Sequence, residues 1–262
     1  MLDKIQSLWI GDSLSKVEQL SIQSFLNNGH PYVLYTYSNI KNLPEGVIIE
    51  DANTIIPEED IFVCKNGWGK GSYAGFADLF RFNLLNQKGG WWVDTDVICL
   101  KPFTFENDFI ICSSYEGQWG IRANNCILKV PKQHEFLTYI LDYINQLDFK
   151  NAGFGDIGPT LVQNAVDSLN LSSYLVPYYY FNPISWGNVG DIILNDLSVK
   201  NKLKEVLRPF LKPQTLDGRF IHKKSFAVHF WNEIWKQSNY DKNRDYSYYS
   251  VFEKLKRKNG LK

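Results

Sequence analysis

The stretch Gly89-Gly90-Trp91-Trp92-Val93-Asp94-Thr95-Asp96 constrains this chain more than any other. Two glycines stop a helix, three large apolar residues make a strand with no polar face, and two carboxylates follow at its end. A strand apolar on both faces belongs in a parallel sheet covered by helices on both sides. Open α/β sheets bind ligands at the carboxyl ends of such strands. With the two-residue period of a strand, Asp94 and Asp96 project from one face with roots about 6.6 Å apart. Two like charges so placed repel unless something neutralises them, and one hard divalent cation does that. An Asp-x-Asp triplet alone says little, since acidic surface loops produce it by chance; its position here says more.

The residues before this strand predict a helix from about Ser72 to Gln87, with Tyr73, Ala77, Phe80 and Leu84 on one apolar stripe. Arg81 falls inside that stripe, and Asp78 lies on its border at the spacing that lets the two pair. A charged pair facing a sheet is costly unless it is mutually satisfied or grips a ligand, so a structural ion pair and a binding pair are both open readings. Farther along, Ala227-Val228-His229-Phe230-Trp231 reads as a strand with Trp235 beyond it. His229 there is either a satisfied core histidine or a third metal ligand. Imidazole with two carboxylates suits Mn²⁺ at least as well as Mg²⁺.

The opening of the chain reads strand (Lys4 to Ile10), helix (through Val17, Leu20, Ile22, Phe25 and Leu26), strand (Tyr32 to Tyr37) and strand (Val47 to Glu50), a βαββ start for an α/β sheet. The sheet is expected to continue through Val97 to Leu100, Phe109 to Ser114 and Asn125 to Val130, with amphipathic helices over Glu135 to Leu147 and Thr160 to Leu169. A loop-rich, aromatic part follows up to Phe226. With no repeats or linkers, one domain over residues 1–262 is expected. Within it the regular, sheet-forming half would be 1–114, the loop-rich half 115–240, and a basic C-terminal helix would occupy 241–262.

Lys+Arg and Asp+Glu balance at 28 each, so no chain-wide field attracts polyanions, and nucleic acid is not an expected partner. Aromatics reach 15%, enough either to stack on flat ligands and sugar rings or simply to fill a core. No apolar run approaches the about 18 residues of a membrane span, and Met1 leads directly into a strand, which reads as cytoplasmic. Lys254, Lys256, Arg257, Lys258 and Lys262 crowd the C-terminus beside Val251, Phe252 and Leu255. They form either a solvated terminal helix or a peripheral contact with anionic lipid on the cytosolic membrane face. Cys64, Cys99, Cys112 and Cys126 have no metal spacing and read as buried thiols.

The run from Tyr73 to Leu85 (YAGFADLFRFNLL), followed by Gly89-Gly90-Trp91-Trp92-Val93-Asp94-Thr95-Asp96, resembles the Asp-x-Asp sugar-binding region of the retaining glycosyltransferases of family 32. That family's relatives include mannosyltransferases, α-1,4-galactosyltransferases and the core of large clostridial glucosylating toxins. Leu8-Trp9-Ile10-Gly11 resembles the first-strand motif, and Asn125-Cys126-Ile127 a later strand. Gly158-Pro159-Thr160 resembles a helix start, and His229 with Trp235 the terminal motif. These landmarks run in order over most of the chain.

The resemblance implies a GT-A fold with a nucleotide-sugar-binding half over 1–114 and an acceptor half over 115–240, a nucleotide-sugar donor, most simply UDP-linked, and a divalent metal, Mn²⁺ or Mg²⁺, held by Asp94, Asp96 and His229. It further implies that Asp78 and Arg81 hold donor-sugar hydroxyls, that Trp9, Ile10 and Gly11 border the base and ribose, and that Trp231 or Trp235 lies near the diphosphate. Asn125 joins the substrate-binding set, and Asp156 is an acceptor-side candidate or a helix cap. The expected activity is transfer of a hexose or N-acetylhexosamine to a saccharide or glycoconjugate acceptor, as in surface polysaccharide synthesis. Lys70 could add charge over the donor, and Tyr115, Trp119, Tyr178 to Tyr180 and Trp186 could stack on the acceptor. A metal-dependent phosphohydrolase and a noncatalytic sugar-binding protein are the alternatives.

Overall fold

The computed structural model describes residues 2–65, 67–147, 156–195, 199–212 and 216–261. The chain opens with β1 (Ile5–Trp9), α1 (Lys16–Asn27), β2 (Tyr32–Thr36) and β3 (Ile48–Asp51), then α2 (Ala74–Lys88) and β4 (Gly90–Val93). Next come β5 (Val97–Cys99), β6 (Ile110–Tyr115), β7 (Ile121–Val130), α3 (Glu135–Asn145), α4 (Pro159–Ser168) and α5 (Val199–Leu211). The chain closes with β8 (Ala227–His229), α6 (Asn232–Gln237) and α7 (Val251–Lys258). Six strands form one sheet in the order β3-β2-β1-β4-β7-β6, with β1 parallel to both β2 and β4, and β7 antiparallel to β4 and β6. This mixed, mostly parallel sheet flanked by helices is the GT-A arrangement expected from the resemblance.

Alternation along the strands divides the core between the two faces. Leu8, Val33, Tyr35, Trp92 and Leu128 pack with Phe76, Phe80 and Phe82 of α2 and with α3 and α4. Ile5, Tyr32, Leu34, Trp91, Val93 and Ile127 pack on the opposite side with Ile22 and Phe25 of α1. Much of the aromatic content is therefore core: Trp91, Trp92, Trp235 and a series of phenylalanines are wholly buried. Helix α1 starts at a capping box in which Ser15 and Glu18 satisfy each other's backbone amides. Helix α2 ends at Gly89, where φ is +65° and a Cβ would lie 2.7 Å from the Lys132 backbone nitrogen, so only glycine fits the turn.

Two expectations need correcting. Strand β4 stops at Val93, so Asp94, Thr95 and Asp96 lie in a tight turn, closed by the Val97 amide on the Asp94 carbonyl at 3.1 Å. The turn, rather than strand alternation, brings the two carboxylates together. Nor does Val97 continue the main sheet: β5 pairs antiparallel with β8 in a separate two-stranded sheet, with Val97 opposite His229. Helix α1 fastens that small sheet, since Ser21 Oγ donates to Val97 O at 2.6 Å and Ser24 Oγ accepts from the Cys99 amide at 2.7 Å.

At the C-terminus, Phe252 and Leu255 of α7 are buried beside Val17, Leu20, Ile98 and Phe230. Lys256 is buried too, paired with Asp245 at 2.9 Å and Glu253 at 3.0 Å. The apolar side of this basic helix faces the chain itself. All four cysteines are buried and free, as their spacing suggested.

Candidate active site

An open cleft of about 1120 Å³ lies at the carboxyl ends of β1 and β4, where the sheet places a ligand. Asp94 and Asp96 line it from the turn after β4, Asp78 and Arg81 from α2, Asn125 from β7, and His229 and Trp231 from β8 and the residues after it.

Arg81 organises one wall. Its guanidinium donates to Asp94 Oδ1 at 2.8 Å and to the Asn125 carbonyl at 2.6 Å, lies 3.3 Å from Asp78 Oδ1, and sits 5.0 Å above the Trp92 ring. Asp94 Oδ1 also accepts from Trp92 Nε1 at 2.7 Å, which leaves Oδ2 for the cleft. Asn125 Nδ2 donates to Asp78 Oδ1 at 2.8 Å. Burial pushes the Asp78 carboxyl up to about 6, even with Arg81 pulling the other way. Burial also raises Asp94, again against the pull of Arg81. Gly158 is needed here for space, because a Cβ on it would run into the Asp78 carboxylate.

The opposite wall carries Asp96 and His229. The pairing of β5 with β8 sets His229 beside the turn, with Nε2 3.3 Å from Asp96 Oδ2. Asn182 Nδ2 donates to the Ser113 carbonyl at 2.9 Å, so its oxygen faces His229 Nδ1 at 3.1 Å. That oxygen only accepts, so Nδ1 carries a proton and Nε2 is the atom directed at the carboxylates. Burial alone would lower His229, but the Asp96 carboxylate lifts it well above the ordinary imidazole value. Burial would likewise raise Asp96, yet the His229 charge and the Asn232 amide hold it below the usual carboxylate range. One oxygen or nitrogen from each of Asp94, Asp96 and His229 lies within 4.8 Å of the others, a donor set that could hold one divalent ion.

Trp231 takes a left-handed backbone, φ +57°, which is strained for a bulky residue. The bend stacks its ring on His229 at 4.1 Å, lets its indole donate to the Ile184 carbonyl at 2.8 Å, and turns the Asn232 amide onto Asp96 Oδ2 at 2.6 Å. Behind it, wholly buried Glu18 accepts from Asn232 Nδ2 at 3.1 Å and from Lys242 Nζ at 2.7 Å. Sequence reasoning missed Glu18, Asn232, Lys236 and Lys242. Lys236 lies in the six-residue α6 and Lys242 in the loop after it, a stretch too short to carry a periodic signal. The capping-box pattern of Ser15 and Glu18 was visible, but not the second use of Glu18.

Trp9 and Ile10 line the cleft; Gly11 does not, and lies exposed against the Trp9 indole. Trp235 is also outside the cleft: it is fully buried among Phe230, Tyr246 and Phe252 and donates to the Phe230 carbonyl at 2.7 Å. Asp156 is exposed in the turn before α4 and does not line the cleft. Lys70 is exposed, and its carbonyl accepts from Lys236 Nζ at 3.2 Å. Of the aromatic candidates, Trp186 lines the cleft and Trp119 an adjoining groove, with Trp68 and Tyr73 on the cleft rim unforeseen.

Residues 21–151, which are 131 of the 262, match the family model described as capsular polysaccharide synthesis protein. No curated protein sequence matches the chain at a significant level. Among solved structures, one described as PaToxG glycosyltransferase is 21% identical, with a TM-score of 0.45, over 66% of this chain and 72% of that one. The ligand-free glycosyltransferase domain from the YGT toxin is 9% identical, with a TM-score of 0.45, over 78% and 88%. These likenesses are too distant to carry residues across.

Proposed function

The chain belongs to the capsular polysaccharide synthesis protein family, and from that premise we propose that this glycosyltransferase is metal-dependent. It moves a hexose or N-acetylhexosamine from a UDP-linked donor, with retention, to a saccharide or glycoconjugate acceptor. The convergence of Asp94, Asp96 and His229 in a cleft that also holds Asp78 and Arg81 carries the reading. Two carboxylate oxygens and an imidazole nitrogen suit Mn²⁺, and Asn182 already fixes the ring as an outer partner of a metal ligand does. A divalent ion bound there supplies positive charge to the diphosphate, where negative charge develops as the sugar leaves.

The chain's own groups do the rest. Arg81 and Trp92 orient Asp94, the Asn232 amide orients Asp96, and Lys236 adds a cation to the same cleft for the diphosphate. Asp78, held by Asn125, is a hydrogen-bonding partner for sugar hydroxyls at the carboxyl end of the sheet. Trp9 and Ile10 offer an apolar edge to the base. Trp68, Tyr73 and Trp186 are 49%, 44% and 43% exposed along the rim, surface that a sugar ring can cover. A two-metal phosphohydrolase needs more ligands than this, and no second cluster of three His, Cys, Asp or Glu occurs among the described residues.

Thermal denaturation with UDP- and GDP-sugars, with and without Mn²⁺, tests the proposal. A donor at 100 times its Kd is expected to add about 2.7 kcal/mol, roughly 5–10 °C for a chain of this size, and only with the metal present. A shift given by free sugar without nucleotide would point to a binding protein, and phosphate release from simple esters to a hydrolase.

Proton linkage gives a second check. Because His229 is held protonated by Asp96, loading the site must displace that proton. Titrating Mn²⁺ into the protein is expected to release about one proton per ion. Apparent affinity should rise up to about tenfold per pH unit below the His229 value. Calorimetry in buffers of different ionisation enthalpy measures both; an affinity flat from pH 6 to 8 would count against the site.

A further inference from the structure

Helix α5 is built inside out for a globular protein. Leu203, Val206, Leu207 and Phe210 follow the i, i+3, i+4, i+7 spacing of one apolar face, extended by Leu211. That face points to solvent: Leu203 is 60% exposed, Val206 67%, Phe210 82% and Leu211 70%. The polar face is the one fastened to the body. Glu205 lies on it, bonded to Arg208 at 2.6 Å and to Arg219 at 2.8 Å, and Arg219 reaches Asp191 at 3.3 Å. Isolated exposed apolar residues are ordinary, but a continuous apolar helix face turned outward marks an interaction surface.

We propose that α5 lies flat in the surface of an anionic lipid bilayer, its apolar face in the acyl boundary. The charge pattern selects this occupant. Lys200 and Lys204 run along one border of the apolar face and Lys202 along the other, all exposed, while the one acid of the helix, Glu205, is turned inward to its arginines. Lysines flanking an outward apolar stripe meet lipid phosphates at the depth where the side chains enter the acyl region. Thirteen residues reach only about 20 Å, too short to span, and no helix among the described residues is long and apolar enough to cross a membrane. The C-terminal helix, where the sequence suggested lipid contact, has its apolar side buried, so α5 takes that role.

The position of α5 gives the contact a purpose. Asp191, which Arg219 links to Glu205, lines the cleft, as do Trp186 and Gly190 of the same segment. A bilayer under α5 therefore lies beside one rim of the cleft, where an acceptor carried on a lipid would arrive. The binding itself does not depend on the proposed activity and is measured without it.

Co-sedimentation of the full chain with vesicles of phosphatidylglycerol and phosphatidylcholine, against phosphatidylcholine alone, tests the proposal. Binding is expected only with the anionic lipid and should weaken as salt is raised. Phe210→Glu should reduce it at least tenfold, and exchanging Lys200, Lys202 and Lys204 together for Gln by about fivefold per lysine. Both variants should keep the wild-type melting temperature, because the substituted side chains touch solvent. The proposal is overturned if anionic vesicles do not retain the wild type, or if Phe210→Glu binds as well as wild type. It also fails if the chain is a dimer in solution that Phe210→Glu dissolves, which would make a second copy the occupant.

Discussion

Replacing Asp96 by asparagine is expected to lower metal-stimulated sugar transfer by about 10³-fold, the several kcal/mol that an ion at a developing diphosphate contributes. The substitution keeps the volume and an acceptor for the Asn232 amide, which now sits 2.6 Å from Oδ2, so the bend at Trp231 should survive. What disappears is the charge. Asp96 is the one carboxylate of the site held below its ordinary range, by the His229 charge and the Asn232 amide, whereas burial raises Asp94. Removing it also removes the partner that keeps His229 protonated, so the imidazole should titrate lower in the variant and the proton release on Mn²⁺ addition should shrink. Transfer rates, Mn²⁺ titrations and the donor-induced thermal shift measure the effect together. Mn²⁺ stimulation that survives unchanged in a folded Asp96→Asn protein would sink the assignment of Asp96 as a ligand.

Much of this site was legible in the sequence because its residues sit where periodic signals are strong. The apolar run Trp91 to Val93, the stripe of α2 around Arg81 and the apolar strand around His229 all declare their elements. In the structure they converge on one cleft, with Asp94, Asp96, Asp78, Arg81, Asn125, His229 and Trp231 all lining it. What the sequence could not give was the small sheet. Val97 and Ala227 are each in three-residue strands, too short for a period to show that they pair with one another rather than with the main sheet. Trp235 failed as a substrate contact for a related reason: a tryptophan in a helix of six residues has no register to say which way it faces, and this one faces the core. Helix α5 went unread because its lysines and Pro209 resemble a loop, and its apolar face is exposed rather than packed on the other described residues.

The second large effect concerns Arg81. Substitution by methionine keeps most of its volume beside Trp92 but leaves buried Asp78 and half-buried Asp94 with no cation between them. Breaking a buried pair from one side costs about 3–5 kcal/mol, and the cost should depend on pH with a definite sign. Asp78 stands at about 6 even with Arg81 present, above its unfolded value of 3.8, so its folded form is favoured at low pH and loses stability as pH rises through the folded value. Removing the arginine moves both carboxyls farther up. At pH 5 Asp78 is largely protonated in the folded variant and its share of the loss should be small; at pH 8 it must ionise or hold its proton against the solvent, and the full loss should appear. Adding Asp78→Asn to Arg81→Met should then recover part of the stability at pH 8 and little at pH 5, since it deletes one of the two orphaned charges. Denaturant unfolding of the three variants at the two pH values decides the matter. An equal loss at both would mean that Arg81 holds the site by packing on Trp92 and by its bond to the Asn125 carbonyl, and that charge neutralisation is not what keeps it in the core.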